Sequence, residues 1–345
     1  MLVDALLVVL IVAMALVACV FVANVRYLGT NHWKLKVLQL EKYIEEVPRE
    51  LTVANLGSAH AREAFDYQAA RVKGFNFALK SQTLSYDLAI LRRYSDRFAT
   101  GAIVIVAIAP LLFAVVHYPG QNNRMYYHFL PREDIREYSP LIALQERMLP
   151  VLSSKRALLS VVRDASVTTP VRQCTSEEER EEEALCMEQA WCRNFGLENL
   201  KDAAPAERMA SEFEVNRKYL REIVEQIRVI GAKPALVIPP MTDVMLNRFS
   251  DAFLKAFMYD NIVKSGVDAP VLDYLRDERF IRRHEFFLDS ELLNGSGSSE
   301  FTRIVLNDLE SAVITSQVQL VNRESHLGSA EKDGFGSSQK VGRKP

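Results

Sequence analysis

The chain has 345 residues, and its 42 Lys and Arg against 44 Asp and Glu give a net charge of −2 at pH 7. Hydrophobic residues at 49 % and charged residues at 25 % are typical of globular proteins, which excludes a wholly disordered chain. The lack of a basic excess argues against nucleic-acid binding. Four cysteines are too few for a disulfide-stabilised scaffold of this length. The length allows two domains or one large α/β domain.

The first predicted element is an apolar run, Leu6–Ala23, of about 18 residues without a charged or strongly polar side chain. A helix of this length nearly spans the ~30 Å hydrocarbon core of a bilayer. The run also lacks the polar face expected of a helix in a soluble core. It therefore predicts a membrane anchor or uncleaved signal within residues 1–25. Asp4 precedes the run and Arg26 follows it, so charge alone favours a cytoplasmic C-terminal side.

Short apolar runs alternate with longer amphipathic runs over the rest of the chain. The candidate strands are Leu51–Gly57, Gly74–Leu79, Ala102–Ala109, Pro234–Ile238 and Pro270–Tyr274. The candidate helices are Thr83–Phe98, Pro140–Leu149, Ala206–Ile230 and Ser250–Lys264. This alternation predicts β-α-β units, and hence an α/β fold with a parallel sheet covered by helices on both faces. Ligands of such sheets bind beyond the carboxyl ends of the strands.

A second apolar run, Gly101–Val116, has two interpretations. As a membrane span it would make the chain a multi-span protein. It is short, rich in Val and Ile, and interrupted by Pro110. These features favour a strand buried on both faces, followed by a loop.

An insertion at about residues 172–204 begins with an acidic run, Glu177–Glu183, which predicts a solvated helix face. Three cysteines fall in it: Cys174, Cys186 and Cys192. At most one disulfide can form among three thiols, and their spacing matches no familiar zinc pattern. No metal site or cofactor is expected. The tail, residues 316–345, is polar and rich in Gly and Ser, which predicts disorder.

Two short segments carry candidate chemistry at the expected ligand-binding edge of the sheet. In the first, a buried strand runs into Gly57, Ser58, Ala59 and His60. A glycine at such a turn lets the backbone approach a ligand closely, and the N–H groups of a helix start can hold an oxyanion. The second segment, residues 289–297, begins with Asp289 and precedes the last predicted helix.

These segments resemble the membrane-anchored SGNH (GDSL-like) hydrolases of bacterial cell-surface polysaccharide and teichoic-acid clusters. The resemblance covers most of residues 30–312 and lies in EKYIEEVPRELTVANLGSAH, GAIVIVAIAP, YYHFLPREDIREYS and DSELLNGSGSSEFTRIVLNDL. It implies a flavodoxin-like α/β/α sandwich, serine esterase or acyltransferase activity, and a domain outside the cell. It also implies a single membrane span, with a cell-wall polymer and a membrane-bound acyltransferase as partners.

The resemblance assigns roles to individual residues. Asp289 matches the acid of the catalytic triad. Leu292 stands where the family has its catalytic histidine, and Ala59 stands where it has the nucleophilic serine. Ser58 lies one position early, which at the end of a strand turns the side chain to the other face. The resemblance thus points to a protein that has lost acyl-enzyme chemistry.

Several other residues are candidates for the same site. His60 and His284 are possible replacement bases, each with the alternative of a purely structural role. Ser81 and Gln82 follow the second strand, where the family has oxyanion donors; a strand-to-helix loop with Ser81 or Thr83 as N-cap is the alternative. Gly57, Ala59, Leu292 and Asn294 would complete the pocket.

Two functions follow as expectations. The first is an accessory or binding protein in the acyl modification of cell-wall polysaccharide, with a degraded catalytic serine and histidine. The second is an active serine esterase or O-acyltransferase that uses Ser58 with His60 or His284.

Overall fold

A computed structural model describes residues 2–44, 47–117, 120–163 and 176–311. Within these residues, five parallel strands form one sheet: β1 (Leu51–Leu56), β2 (Gly74–Asn76), β3 (Phe98–Ala107), β4 (Lys233–Ile238) and β5 (Val271–Asp273). Their order is β2-β1-β3-β4-β5, which is the order of flavodoxin-type doubly wound sheets. All five predicted strands are confirmed, although β2 ends at Asn76 rather than Leu79 and β3 begins at Phe98 rather than Ala102.

Helices connect the strands and precede them. They are α1 (Leu2–Leu28), α2 (Asn31–Ile44), α3 (Ala59–Ala64), α4 (Leu84–Arg93), α5 (Pro140–Met148), α6 (Lys155–Val162), α7 (Glu177–Phe195), α8 (Pro205–Arg208), α9 (Ala210–Val229), α10 (Asp243–Leu246), α11 (Asp251–Leu254), α12 (Asp260–Ser265) and α13 (residues 295–311). A π-helical turn, Lys255–Tyr259, joins α11 to α12. The 3₁₀ turns are Ser95–Arg97, Leu112–Ala114, Gly120–His128, Arg132–Asp134, Pro150–Ser153 and His284–Phe286.

The second apolar run of the sequence contains most of β3, the central strand, and is not a membrane span. Val104 and Val106 pack into the core on one face of the sheet, whereas Ile105 and Ala107 pack on the other. Because core residues pack on both faces of the sheet, every side chain from Ile103 to Ala107 is buried or nearly so. Burial on both faces explains why the run is apolar throughout instead of alternating.

The two faces of the sheet are covered by different helices. On one face, α4 and α9 contribute Leu88, Leu220 and Val224 to the larger core cluster. On the other, α3 and α13 contribute Ala61 and Phe301 to a second cluster. The result is the three-layer arrangement expected when β-α-β units wind in both directions from a central strand.

The N-terminal helix α1 is long and apolar. Val3–Leu28 is the one helix in the described part of the chain that is long and apolar enough to cross a membrane, and none of its most apolar window is buried in the protein. This is consistent with a single span or a signal sequence. The predicted tail from residue 316 and Cys174 lie outside the described residues. Cys186 and Cys192, both in α7, are free thiols.

Candidate functional site

The site begins where β1 ends, at Gly57. This residue has φ = +132°, and a Cβ placed on it would lie 2.9 Å from the Cβ of Ala61 and 3.2 Å from that of Ala107. Only glycine fits such a backbone and such a close approach. The Gly57 N–H donates to Oδ1 of Asp87, at 2.8 Å. The turn is therefore held from beneath by a side chain of α4.

Ser58 and Ala59 follow this turn and are both half-buried. Ser58 occupies the N-cap position of α3 in an extended conformation, but its hydroxyl makes no capping hydrogen bond. In the residues that the structure describes, no hydrogen bond joins this hydroxyl to His60 or His284. Ala59 is the first residue of α3 and has only a methyl group. Neither position therefore carries an activated nucleophile in this conformation.

His60 contacts an acid that the sequence analysis did not assign. Its Nε2 lies 3.2 Å from Oε2 of Glu291, and both side chains are nearly buried. The two atoms are not aligned for a hydrogen bond, and neither has another hydrogen-bond partner within the described structure. The Trp191 ring of α7 stands edge-on to the imidazole, with the ring centroids 5.9 Å apart. His60 thus bridges α3, α7 and the loop before α13.

The carboxylate of Asp289 is hydrogen-bonded to its own loop. Its Oδ1 accepts hydrogen bonds from the backbone N–H of Glu291 and of Leu292, at 2.9 and 2.7 Å. Burial, reinforced by the negative charge of Glu291, raises the pKa of Asp289 to about 6 in spite of these two donors. Within the described structure, no histidine contacts this carboxylate. Asp289 is thus a loop-shaping acid that can exchange a proton near neutral pH.

His284 pairs with a different carboxylate. Its Nε2 lies 3.2 Å from Oδ1 of Asp243, at the start of α10. His284 and Asp289 nevertheless line one cavity of about 230 Å³. The other residues lining it are Arg180, Glu183, Thr242, Val244, Glu285, Phe287, Leu288 and Ser290. The cavity therefore lies beside the predicted catalytic acid, with Ser58 and His60 outside its lining.

Two hydrogen bonds fix the wall of this cavity. Thr242, the N-cap of α10, donates from Oγ1 to the backbone oxygen of Ser290, at 2.8 Å. Glu183 accepts from the backbone N–H of Ser290, at 2.9 Å. The hydroxyl of Ser290 is buried without a hydrogen-bond partner in the described structure. The acidic insertion helix α7 is therefore more than a solvated face, because Glu183 turns inward to this loop.

The side-chain amide of Gln82 is engaged with Asp87 and is not available as an oxyanion donor. It is buried, and its Nε2 donates to Oδ1 of Asp87 at 2.6 Å. Burial raises the pKa of Asp87 to about 7 against the effect of its donors, Gln82 and the Gly57 amide. Ser81 adopts φ = +58°, and Thr83, not Ser81, occupies the N-cap position of α4.

Asn294 and Leu292 have structural roles in the same loop. Oδ1 of Asn294 accepts from the backbone N–H of Ser296 and of Gly297, both at 3.0 Å, and so caps α13. Its Nδ2 donates to the backbone oxygen of Glu285, at 2.7 Å. Leu292 is half-buried, and its backbone oxygen accepts from Leu288 at 2.7 Å. Both residues hold the loop that positions Asp289 and Glu291.

The structure thus brings the β1 turn to the 289–293 loop, but through His60 and Glu291. The sequence analysis missed Glu291, Asp87 and Asp243. Asp87 is the single acid of α4 and precedes the apolar stretch Leu88–Leu91, which could have indicated it, whereas nothing in the local sequence distinguishes Glu291. Among the described residues, no three His, Cys, Asp or Glu side chains are placed to hold a metal ion.

No known protein family matches the chain, and no curated protein sequence is significantly similar to it.

Proposed function

We propose that this chain is a membrane-anchored, SGNH-hydrolase-like protein of the cell surface that binds an acylated cell-wall polysaccharide without forming an acyl-enzyme. In this role it assists a membrane-bound acyltransferase, and its α/β domain lies outside the cytoplasm. The proposal combines the resemblance of the sequence with the contacts around Asp289 and His60.

The observation that carries the proposal is the set of contacts made by the three side chains that would form a catalytic triad: Asp289, His284 and Ser58. Asp289 accepts from two loop amides, His284 pairs with Asp243, and Ser58 has no hydrogen bond to a histidine in the described structure. General-base assistance contributes roughly 10²–10⁴-fold to such reactions. A serine without it is a weak nucleophile, which favours binding over hydrolysis.

A buried polar group without a partner favours a ligand that bears hydroxyl groups. Oγ of Ser290, a residue that lines the cavity, is buried and makes no hydrogen bond within the described residues. Such a group costs about 1–3 kcal/mol unless something satisfies it. A sugar hydroxyl can donate to a serine hydroxyl or accept from it. Phe287 and Leu288 offer apolar contact to an acyl group.

Ser290 provides a test of ligand binding that does not disturb the fold. Because its hydroxyl has no partner within the described protein, Ser290→Ala should leave the melting temperature unchanged or slightly raised. Binding of an O-acetylated oligosaccharide to the full chain in detergent, measured by calorimetry, should weaken about tenfold, as for one lost hydrogen bond. Ser211→Ala, on the exposed side of α9, is the control and should bind normally. Equal affinity of all three proteins, or no binding by any, would contradict the proposal.

The His60–Glu291 contact favours one alternative function, an esterase or O-acyltransferase. Here Ser58 would be the nucleophile, His60 the base, and Glu291 the acid in place of Asp289. This version requires Ser58 to rotate toward His60 when substrate binds. Hydrolysis of p-nitrophenyl acetate by the full chain discriminates between the two functions. The alternative predicts a rate well above that of denatured protein, lost in both Ser58→Ala and Glu291→Gln. The main proposal predicts the same background rate for all three.

A further inference from the structure

The segment from α5 to α6 exposes large apolar side chains to solvent. Six of them define the juxtamembrane patch: Leu141, Leu144, Met148, Leu158, Leu159 and Val162. Their exposure ranges from 51 % for Leu158 to 83 % for Val162. Leu141 and Leu144 line one apolar surface pocket together with Leu149 and Leu152. Clusters of exposed apolar residues mark interaction sites, whereas isolated ones are normal on a surface.

The patch belongs to the part of the domain that is fixed to the end of α1. Asn24 donates from Nδ2 to the backbone oxygen of Met148 and accepts at Oδ1 from the N–H of Val151, both at 3.2 Å. Tyr27 is fully buried in a small cluster with Val151 and Ala157. These contacts join α5, the following 3₁₀ turn and α6 directly to the last two turns of α1.

The length of α1 places these contacts at the level of the lipid headgroups. Val3–Leu28 has 26 residues, which at ~1.5 Å per residue is about 39 Å. A hydrocarbon core of ~30 Å takes about 20 residues, so roughly the last six lie beyond it. Asn24 and Tyr27 fall within those six, and they are the residues that hold α5 and α6.

The exposed charges of α5, α6 and the turn between them have one sign. The exposed ionic side chains within residues 139–163 are Arg147, Lys155, Arg156 and Arg163. The one acid in this range is Glu146, whose side chain is buried and contacts Lys36 at 2.6 Å, Arg124 at 3.1 Å and His128 at 3.2 Å. The outer surface therefore presents apolar and basic groups together. Anionic lipid surfaces attract such segments, and apolar faces insert at the boundary between headgroups and acyl chains.

We propose that the juxtamembrane patch is a second, non-spanning membrane contact: α5 and α6 lie in the plane of the bilayer surface, with their apolar side chains among the acyl chains and their basic side chains on anionic headgroups. The domain is thereby held against the membrane at two places and does not swing on the single helix α1. The lipid bilayer is the occupant, since the patch is continuous with the predicted span.

The test uses the full chain in lipid nanodiscs, with its four native cysteines replaced by serine. A fluorophore that senses polarity is attached to Leu144→Cys or Leu158→Cys, and to Val263→Cys on α12 as an exposed apolar control. In discs containing anionic lipid and nitroxide-labelled acyl chains, the first two labels should be quenched severalfold and the third should not. The double variant Lys155→Glu, Arg156→Glu should reduce quenching in anionic discs.

Two results would overturn this inference. In one, the labels at 144 and 158 are as accessible to aqueous iodide as the label at 263 and are not quenched by the labelled lipid. In the other, they are shielded from both quenchers and cross-link to a second protein copy, which would make the patch a protein interface.

Discussion

Nε2 of His60 lies 3.2 Å from Oε2 of Glu291, two residues past the acid that the family resemblance selects. Asp289 meanwhile accepts from the amides of its own loop. The acid that faces the end of β1 is therefore Glu291. Asp289 faces the neighbouring cavity.

The His60–Glu291 pair should stabilise the closed arrangement of α3 and the 289–293 loop. In a double-mutant cycle of His60→Gln and Glu291→Gln, we expect a coupling energy of about 0.5–1.5 kcal/mol from the close approach of the two side chains, measured by chemical denaturation at pH 6.5. Glu300→Gln, in the exposed pair with Arg303 on α13, should cost less than about 0.5 kcal/mol. A coupling energy indistinguishable from zero would mean that the two side chains do not interact in solution.

Asp289→Asn should stabilise the protein at alkaline pH. Asparagine keeps the oxygen that accepts from the two amides and removes a charge that burial and Glu291 disfavour. The pKa of Asp289 is raised from 3.8 to about 6, so the folded state loses stability as the pH rises from about 4 through 6. The variant should be more stable than wild type by about 1–3 kcal/mol at pH 8, with partial exposure reducing the gain.

The measurement is the free energy of unfolding of both proteins between pH 4.5 and 8. The gain should be level from pH 8 to just above 6 and should shrink as the pH falls from about 6 toward 4.5. A gain that is constant across this range, or a loss of stability at pH 8, would show that the carboxylate is well solvated or paired.

Asp87→Asn, at a fully buried position, should also raise the free energy of unfolding relative to wild type. Burial raises the pKa of Asp87 from 3.8 to about 7, so its ionisation weakens folding between about pH 4 and 7. Above pH 7, the free energy of unfolding of the variant should exceed that of wild type by up to about 4 kcal/mol, as judged by thermal melts across the pH range. Asp96→Asn, at an exposed carboxylate, should follow wild type throughout. A destabilised variant at pH 8 would show that the charged form of Asp87 is needed to hold the Gly57 amide.

Gly57→Ala tests the close packing beneath the turn that follows β1. The new methyl would lie 2.9 Å from the Cβ of Ala61, on a backbone that disfavours L residues. We expect destabilisation of about 3 kcal/mol or more, from backbone strain and overpacking together. Gly231→Ala has a positive φ of 76° but open space around it, so it should lose about 1 kcal/mol. Similar losses at both sites in denaturant titrations would show that packing at Gly57 is loose.

The strands and most helices could be predicted from the sequence because their signals are local. The alternation of apolar runs locates β1 to β5, and a run such as that around Val104 is long enough to indicate burial on both faces. Predicted helix ends were accurate at Pro140, where proline at N1 follows the N-cap Ser139. The predicted helix Ala206–Ile230 is interrupted at Met209, which has no strong helix-breaking signal.

The site was less predictable because it depends on contacts between distant segments. Glu291 and His60 are 231 positions apart, and Asp243 contacts His284 from the start of α10. Asp289 and Glu291 are only two residues apart, but Asp289 faces the cavity whereas Glu291 faces the end of β1. The hydrogen bonds that Asp289 accepts from its own loop fix this arrangement, and no short sequence motif predicts them. Gln82 likewise had a recognisable position but an unforeseen partner, Asp87.

The most direct measurement is reaction of the full chain with a fluorophosphonate probe, followed by intact-mass analysis and peptide mapping. The probe labels serines that an adjacent base activates. We predict no adduct at Ser58, at a probe concentration that fully labels an active serine esterase in the same detergent. Stoichiometric labelling of Ser58, abolished in His60→Gln, would show that acyl-enzyme chemistry survives and would contradict the proposed binding role.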